Sequence, residues 1–93
     1  MPVRLDTAVT QSPNCLAAEV GNELVVMSVS QGSYLALDPI ARDIWDRIAV
    51  TRSAGDLCDT LAADYDAPPD IIEADVLDLL DTLVNAGMVE VAA

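Results

Sequence analysis

The dipeptide Asp38-Pro39 limits what this chain can fold into more than any other feature, because the hydrophobic repeat changes there. Upstream, three short β-prone runs, Leu16–Val20, Leu24–Val29 and Ser33–Leu37, are separated by Gly21-Asn22 and by Ser30-Gln31-Gly32. That spacing suits a three-stranded antiparallel meander. Downstream, apolar residues recur every three to four positions, the repeat of an amphipathic helix. The junction itself is a helix start: a carboxylate at the N-cap accepts from orphan N–H groups, and a proline in the first turn has no donor to lose. Strands followed by helices make this an α+β fold.

A first helix is predicted from about Pro39 to Ala49, with Ile40, Ile44, Trp45 and Ile48 inward and Trp45 pointing at the sheet. Ser53 caps a second over Ala54–Asp64, whose inward stripe is Leu57, Cys58 and Leu61 and whose first turn is weakened by Gly55. Pro68-Pro69 breaks the chain and pre-sets a third, longer helix from about Pro69 to Ala86. Its apolar stripe of Ile72, Val76, Leu79, Leu80, Leu83 and Val84 covers about half the circumference. Gly87 sits where a left-handed C-terminal cap belongs. Met88–Val91 reads either as a short strand or as a packed tail. Residues 1–14, with Pro2, Pro13 and scattered apolar positions, read as an N-terminal arm, which leaves 15–93 as the folded domain.

Within the third run, alternation puts Leu35 and Leu37 on the core face and Tyr34 and Ala36 on the other. In a meander the third strand has only one neighbour, so its far edge carries free N–H and C=O groups unless something covers it. The N-terminal arm is one such cover. A peptide added as a fourth strand, over a floor made by the third helix, is the other.

Composition removes most kinds of chemistry. The 93 residues contain 16 acids and 4 bases, all arginine, for a net charge of −12, with no lysine and no histidine. Phosphate backbones and anionic membrane surfaces are bound through cations, so neither nucleic acid nor membrane is an expected partner. Without histidine or lysine the usual general base, Schiff-base nucleophile and phosphate-loop cation are missing. At 53% hydrophobic the chain still folds, around one aliphatic core, since Phe is absent; Trp45, Tyr34 and Tyr65 are its aromatic anchors. No apolar run is long enough for a signal or a spanning helix, so the chain reads as cytoplasmic. Cys15 and Cys58 are isolated reduced thiols.

Two acidic clusters have the composition of a site. Asp64, Asp66 and Asp70 invite a calcium reading, but with Asp64 as loop position one the fifth and sixth positions are Pro68 and Pro69 and the twelfth is Asp75. No metal, cofactor or catalytic residue is therefore assigned. Glu73, Asp75, Asp78 and Asp81 form an acidic band beside the apolar stripe of the third helix, either a solvated face or one complementary to a basic segment.

The segment Gly32–Ile48 (GSYLALDPIARDIWDRI) resembles the PqqD-like signature G-x-Y-x-x-L-N-x-x-x-x-x-I-W, as do Ala62–Asp66 and Ala74–Met88. Ile44-Trp45, Asp75-Val76 and Leu80–Gly87 sit at the family spacing, and the likeness spans residues 16–89. Asp38 stands where Asn is usual, which keeps the cap. The resemblance implies a recognition element for ribosomally made, modified peptides, with a small winged helix-turn-helix-like fold in which a three-stranded antiparallel sheet is followed by three helices. Arg52-Ser53 and Asp64-Tyr65-Asp66 are similar to the freestanding leader-binding half of the split lasso-peptide maturation protein. Val50-Thr51, in place of Asp-Gly, points away from the pyrroloquinoline-quinone members.

That resemblance implies a non-catalytic domain, residues 15–93, that binds a precursor leader peptide along Ser33, Tyr34, Leu35, Ala36 and Leu37. Asp75, Val76, Leu79 and Leu83 would line the other wall. The implied partners are a cysteine-protease leader peptidase and an ATP-dependent macrolactam synthetase. The alternatives are a peptide chaperone of another modified-peptide pathway and a winged-helix DNA-binding regulator.

Overall fold

In the computed structural model, which describes residues 2–92, the chain runs β1 (Ala8–Gln11), β2 (Cys15–Val20), β3 (Glu23–Ser28), β4 (Tyr34–Leu37), α1 (Pro39–Arg47), β5 (Arg52–Ser53), α2 (Ala54–Tyr65), α3 (Pro69–Asn85) and β6 (Val89–Ala92). The expected meander is the antiparallel sheet β2-β3-β4, and the three helices follow it within a residue or two of their predicted ends. A second antiparallel sheet, ordered β5-β1-β6, accompanies it.

The predicted caps are in place. Asp38 Oδ1 accepts from the Ala41 N–H at 2.8 Å, and Ser53 Oγ accepts from the Asp56 N–H at 3.1 Å. At the end of α3, Gly87 takes φ +76° while its N–H donates to the Val84 carbonyl and the Met88 N–H donates to the Leu83 carbonyl. Those two bonds are the reciprocal pair that closes a helix through a left-handed glycine.

The N-terminal arm is a correction. Residues 8–11 are the middle strand of the second sheet, paired with residues 52–53 on one side and 89–92 on the other. Val3 and Val9 are buried in the core. Four short residues with distant partners leave no hairpin signal in the local sequence, so the strand was invisible there. The same sheet answers the question about the C-terminal tail, because Val89–Ala92 is a strand. Gly55 also gains a reason: its N–H donates to the Leu5 carbonyl at 2.8 Å, and a Cβ there would lie 3.0 Å from that oxygen. The N-terminal segment crosses α2 at the one position without a side chain.

The core is a single aliphatic cluster around Trp45, drawn from β1, β3, β4, the three helices and β6. Tyr34 and Tyr65 are both exposed, so only one of the three expected aromatic anchors is internal. Ile40 is 57% exposed, because the first turn of α1 has already left the core that Ile44, Trp45 and Ile48 fill. Cys58 is buried beside Leu57 and Leu61, as expected, and both cysteines are free. Among the described residues no helix is long and apolar enough to cross a membrane.

Candidate functional site

β4 is paired on one side only. The register sets Leu24 opposite Leu37, Val25 opposite Ala36, Val26 opposite Leu35 and Met27 opposite Tyr34. Beyond the strand, the Ser28 N–H donates to the Ser33 carbonyl at 2.8 Å, and across the sheet the Val29 N–H donates to the Asn14 carbonyl. Hydrogen-bonded and non-bonded pairs alternate along an antiparallel ladder. Residues 24, 26 and 28 therefore turn their backbone groups towards β4, and 25 and 27 turn theirs towards β2. It follows that Leu35 and Leu37 are bonded to β3, whereas Tyr34 and Ala36 present their N–H and C=O groups on the open edge. Among the described residues no strand covers that edge.

Side chains on β4 alternate as predicted: Leu37 is buried and Leu35 packs half-buried against the core, while Tyr34 and Ala36 face solvent. Ser33 does different work. Its hydroxyl donates to the Ala86 carbonyl at 2.8 Å and so ties the start of β4 to the C-terminal end of α3. The turn before it rests on the same helix end, where a Cβ on Gly87 would meet Gln31 Nε2 at 2.6 Å and Ser28 Oγ at 3.1 Å.

The four residues expected on α3 divide two and two. Asp75 is exposed and Leu79 is half-buried against the core edge. Val76 and Leu83 are buried, on the side of the helix that also carries Leu80. A stripe covering half a helix has a middle and two margins, and the middle goes to the core. Those two side chains are therefore enclosed and do not line a surface wall. Ser33, Asp75, Leu79 and the Tyr34/Ala36 backbone are the predicted residues that remain accessible.

Charge is unevenly placed. The ion pairs of the described residues engage Arg42 with Glu19 and Asp46, Arg47 with Asp43 and Asp64, and Arg52 with Asp56. None reaches the acids of α3, where Asp81 instead accepts the Val3 N–H at 2.6 Å. Asp64 is thus engaged by Arg47 at 2.6 Å, and Asp66 ends α2 in the left-handed region. The Arg47 guanidinium, and then the Tyr65 hydroxyl at 2.5 Å, hold the Asp43 carboxyl below the usual carboxylate range. Burial pushes both thiols up, Cys58 among apolar neighbours and Cys15 less deeply, which leaves neither as a reactive thiolate.

An α+β domain whose sheet ends on an open strand beside a long helix has the geometry on which an extended peptide can add as a further strand. The chain belongs to the PqqD family: coenzyme PQQ synthesis protein D matches residues 23–89, from the start of β3 into β6. Two solved structures share the fold. One, TbiB1 in complex with the TbiA(beta) leader peptide, superposes with a TM-score of 0.77 at 25% identity, covering 90% of this chain and 98% of that one. The other, lasso peptide synthetase B1 complexed with the leader peptide, gives 0.75 at 23% identity over 88% and 96%. Comparison with curated protein sequences finds no match.

Proposed function

We propose that this protein captures the leader segment of a ribosomally made precursor peptide as an added antiparallel strand on β4 and performs no chemistry on it. The observation that carries the reading is the outward-facing backbone of Tyr34 and Ala36, held next to α3 by the bond from Ser33 to Ala86. It is supported by near end-to-end similarity to a structure solved with a leader peptide. Tyr34 and Ala36 would bond the peptide backbone, and Leu79 with the exposed edge of Leu35 would take an apolar anchor. Asp75 would sit beside a polar or basic residue. In a lasso-peptide pathway the bound precursor would then pass to a cysteine-protease leader peptidase and an ATP-dependent macrolactam synthetase.

Ordering a disordered leader costs about 2–5 kcal/mol, so backbone bonds alone are insufficient and apolar anchors are needed to reach micromolar affinity. Fluorescence anisotropy with the labelled TbiA(beta) leader peptide, the partner in the similar solved complex, and with leader segments of candidate precursors measures this directly. Ala36→Pro removes one edge donor and leaves the β3 ladder intact, a change that edge strands tolerate. It is expected to weaken binding about tenfold or more, near the worth of one or two hydrogen bonds. Leu79→Asp is expected to do the same by placing a carboxylate against the anchor. Unaltered affinity in both folded variants would refute strand addition at this edge.

A further inference from the structure

The solvent face of the β2-β3-β4 sheet is built unlike the rest of the surface. β3 reads Glu-Leu-Val-Val-Met-Ser, with apolar residues on both faces, and that is the pattern of a strand covered on both sides. Leu24, Val26 and Ser28 are buried against the core, which turns Val25 and Met27 outward. The register then assembles the outer face in rows. Leu16, Met27 and Tyr34 stand side by side; Ala18, Val25 and Ala36 form the next row, and Val20 with Glu23 the third. Leu16 is 64% exposed, Val20 62%, Met27 44% and Tyr34 70%. In a chain of net charge −12, the charges of these rows are confined to one end, at Glu23 and the helix-capping Asp38 beside it.

We propose that this face is a self-association surface on which a second copy of the chain docks, sheet against sheet. The relief argues for a copy of itself. A ridge of long side chains, Leu16-Met27-Tyr34, lies beside a valley of short ones, Ala18-Val25-Ala36. A twofold axis between the two rows drops each ridge into the other copy's valley, as an isologous contact requires. The charges agree with this arrangement. Glu19 belongs to the core-facing side of β2 and is paired with Arg42, and the other acids lie mainly on the helices behind the sheet. Two sheets packed about 10 Å apart would hold those helices on opposite outer sides, beyond the Debye length of about 8 Å at physiological salt. The exposed apolar area is on the order of 500 Å² per copy, so a pair would bury about 1,000 Å², the lower bound for a specific interface. The contact does not depend on the peptide-binding reading.

Sedimentation equilibrium of the full chain from 5 to about 500 µM tests this, with a dimer dissociation constant of about 10–100 µM expected for so small an interface. Raising NaCl from 20 to 500 mM should tighten it by screening like charges. Leu16→Glu, on the exposed outer strand, and Met27→Glu should each weaken dimerisation at least tenfold, with folding checked by circular dichroism. Ala18→Phe adds apolar surface but fills the valley, and should also weaken the dimer. Ile71→Glu, an exposed apolar residue on α3, should leave it unchanged. A wild-type chain that stays monomeric at 500 µM would overturn the proposal. So would a dimer that survives Leu16→Glu, one lost with Ile71→Glu, or one strengthened by Ala18→Phe.

Discussion

Gly87 and Ser33 act at opposite ends of the same short contact, one letting the chain turn out of α3 and the other fastening β4 to it. Gly87→Ala should lower stability by about 1 kcal/mol, mainly from forcing a Cβ into φ +76°, because the nearest atom, on Gln31, ends a flexible side chain. The urea midpoint measures that loss. Asp43 offers a prediction with a definite pH sign. Its folded-state carboxyl lies below the ordinary value of 3.8, so it contributes stability above that pH and loses it as pH falls through the depressed value. Asp43→Asn should cost about 1 kcal/mol at pH 7, typical of a partly exposed ion pair, and the gap from wild type should narrow as pH falls through the depressed carboxyl value. Urea midpoints of both chains followed from pH 7 into the acid range decide it. Single residues were legible in the sequence where local geometry demanded them, as at Asp38, Ser53 and Gly87. Val76 and Leu83 were misplaced because a 3.6-residue repeat says which side of a helix is apolar, not which part of that side is covered.

The elements of the meander and the helices could be read from pattern because each is specified by residues next to one another. Strand alternation, a turn, a cap and a breaker occur within a few positions of each other, and their sum left little freedom between residues 16 and 87. β1 escaped because its evidence lies elsewhere in the chain: four residues, two of them β-branched, become a strand only when residues 52–53 and 89–92 arrive on either side. Its importance can be measured. Val9 is wholly buried at the middle of that strand, and Val9→Asp should destabilise by about 3–4 kcal/mol, against a few tenths for Val91→Asp on the exposed side of β6. The open edge of β4 was legible from strand count alone. Which residues turn their backbone outward required the hydrogen-bond register, and it makes Tyr34 and Ala36 the positions to mutate.

For the whole molecule, an acidic excess of twelve charges on one small domain opposes compaction through self-repulsion. Thermal unfolding should therefore shift upward by several degrees between 20 and 500 mM NaCl at pH 7, since each kcal/mol moves a domain of this size by about 4–8 °C. The two sheets also differ in how much chain must be gathered to build them. Val20 faces Glu23 across a tight turn, whereas Ala8 faces Ser53 on one side and Ala92 on the other. Closing long loops carries a larger entropy cost and slows the step that requires it. The meander can thus assemble from residues 15–37 alone, but the second sheet has to wait until residues 89–92 have been made. A nascent chain stopped before residue 89 would already hold the β4 edge and lack the strand that locks β1 in place, so the leader-binding edge would form before the segment upstream of it is fastened down.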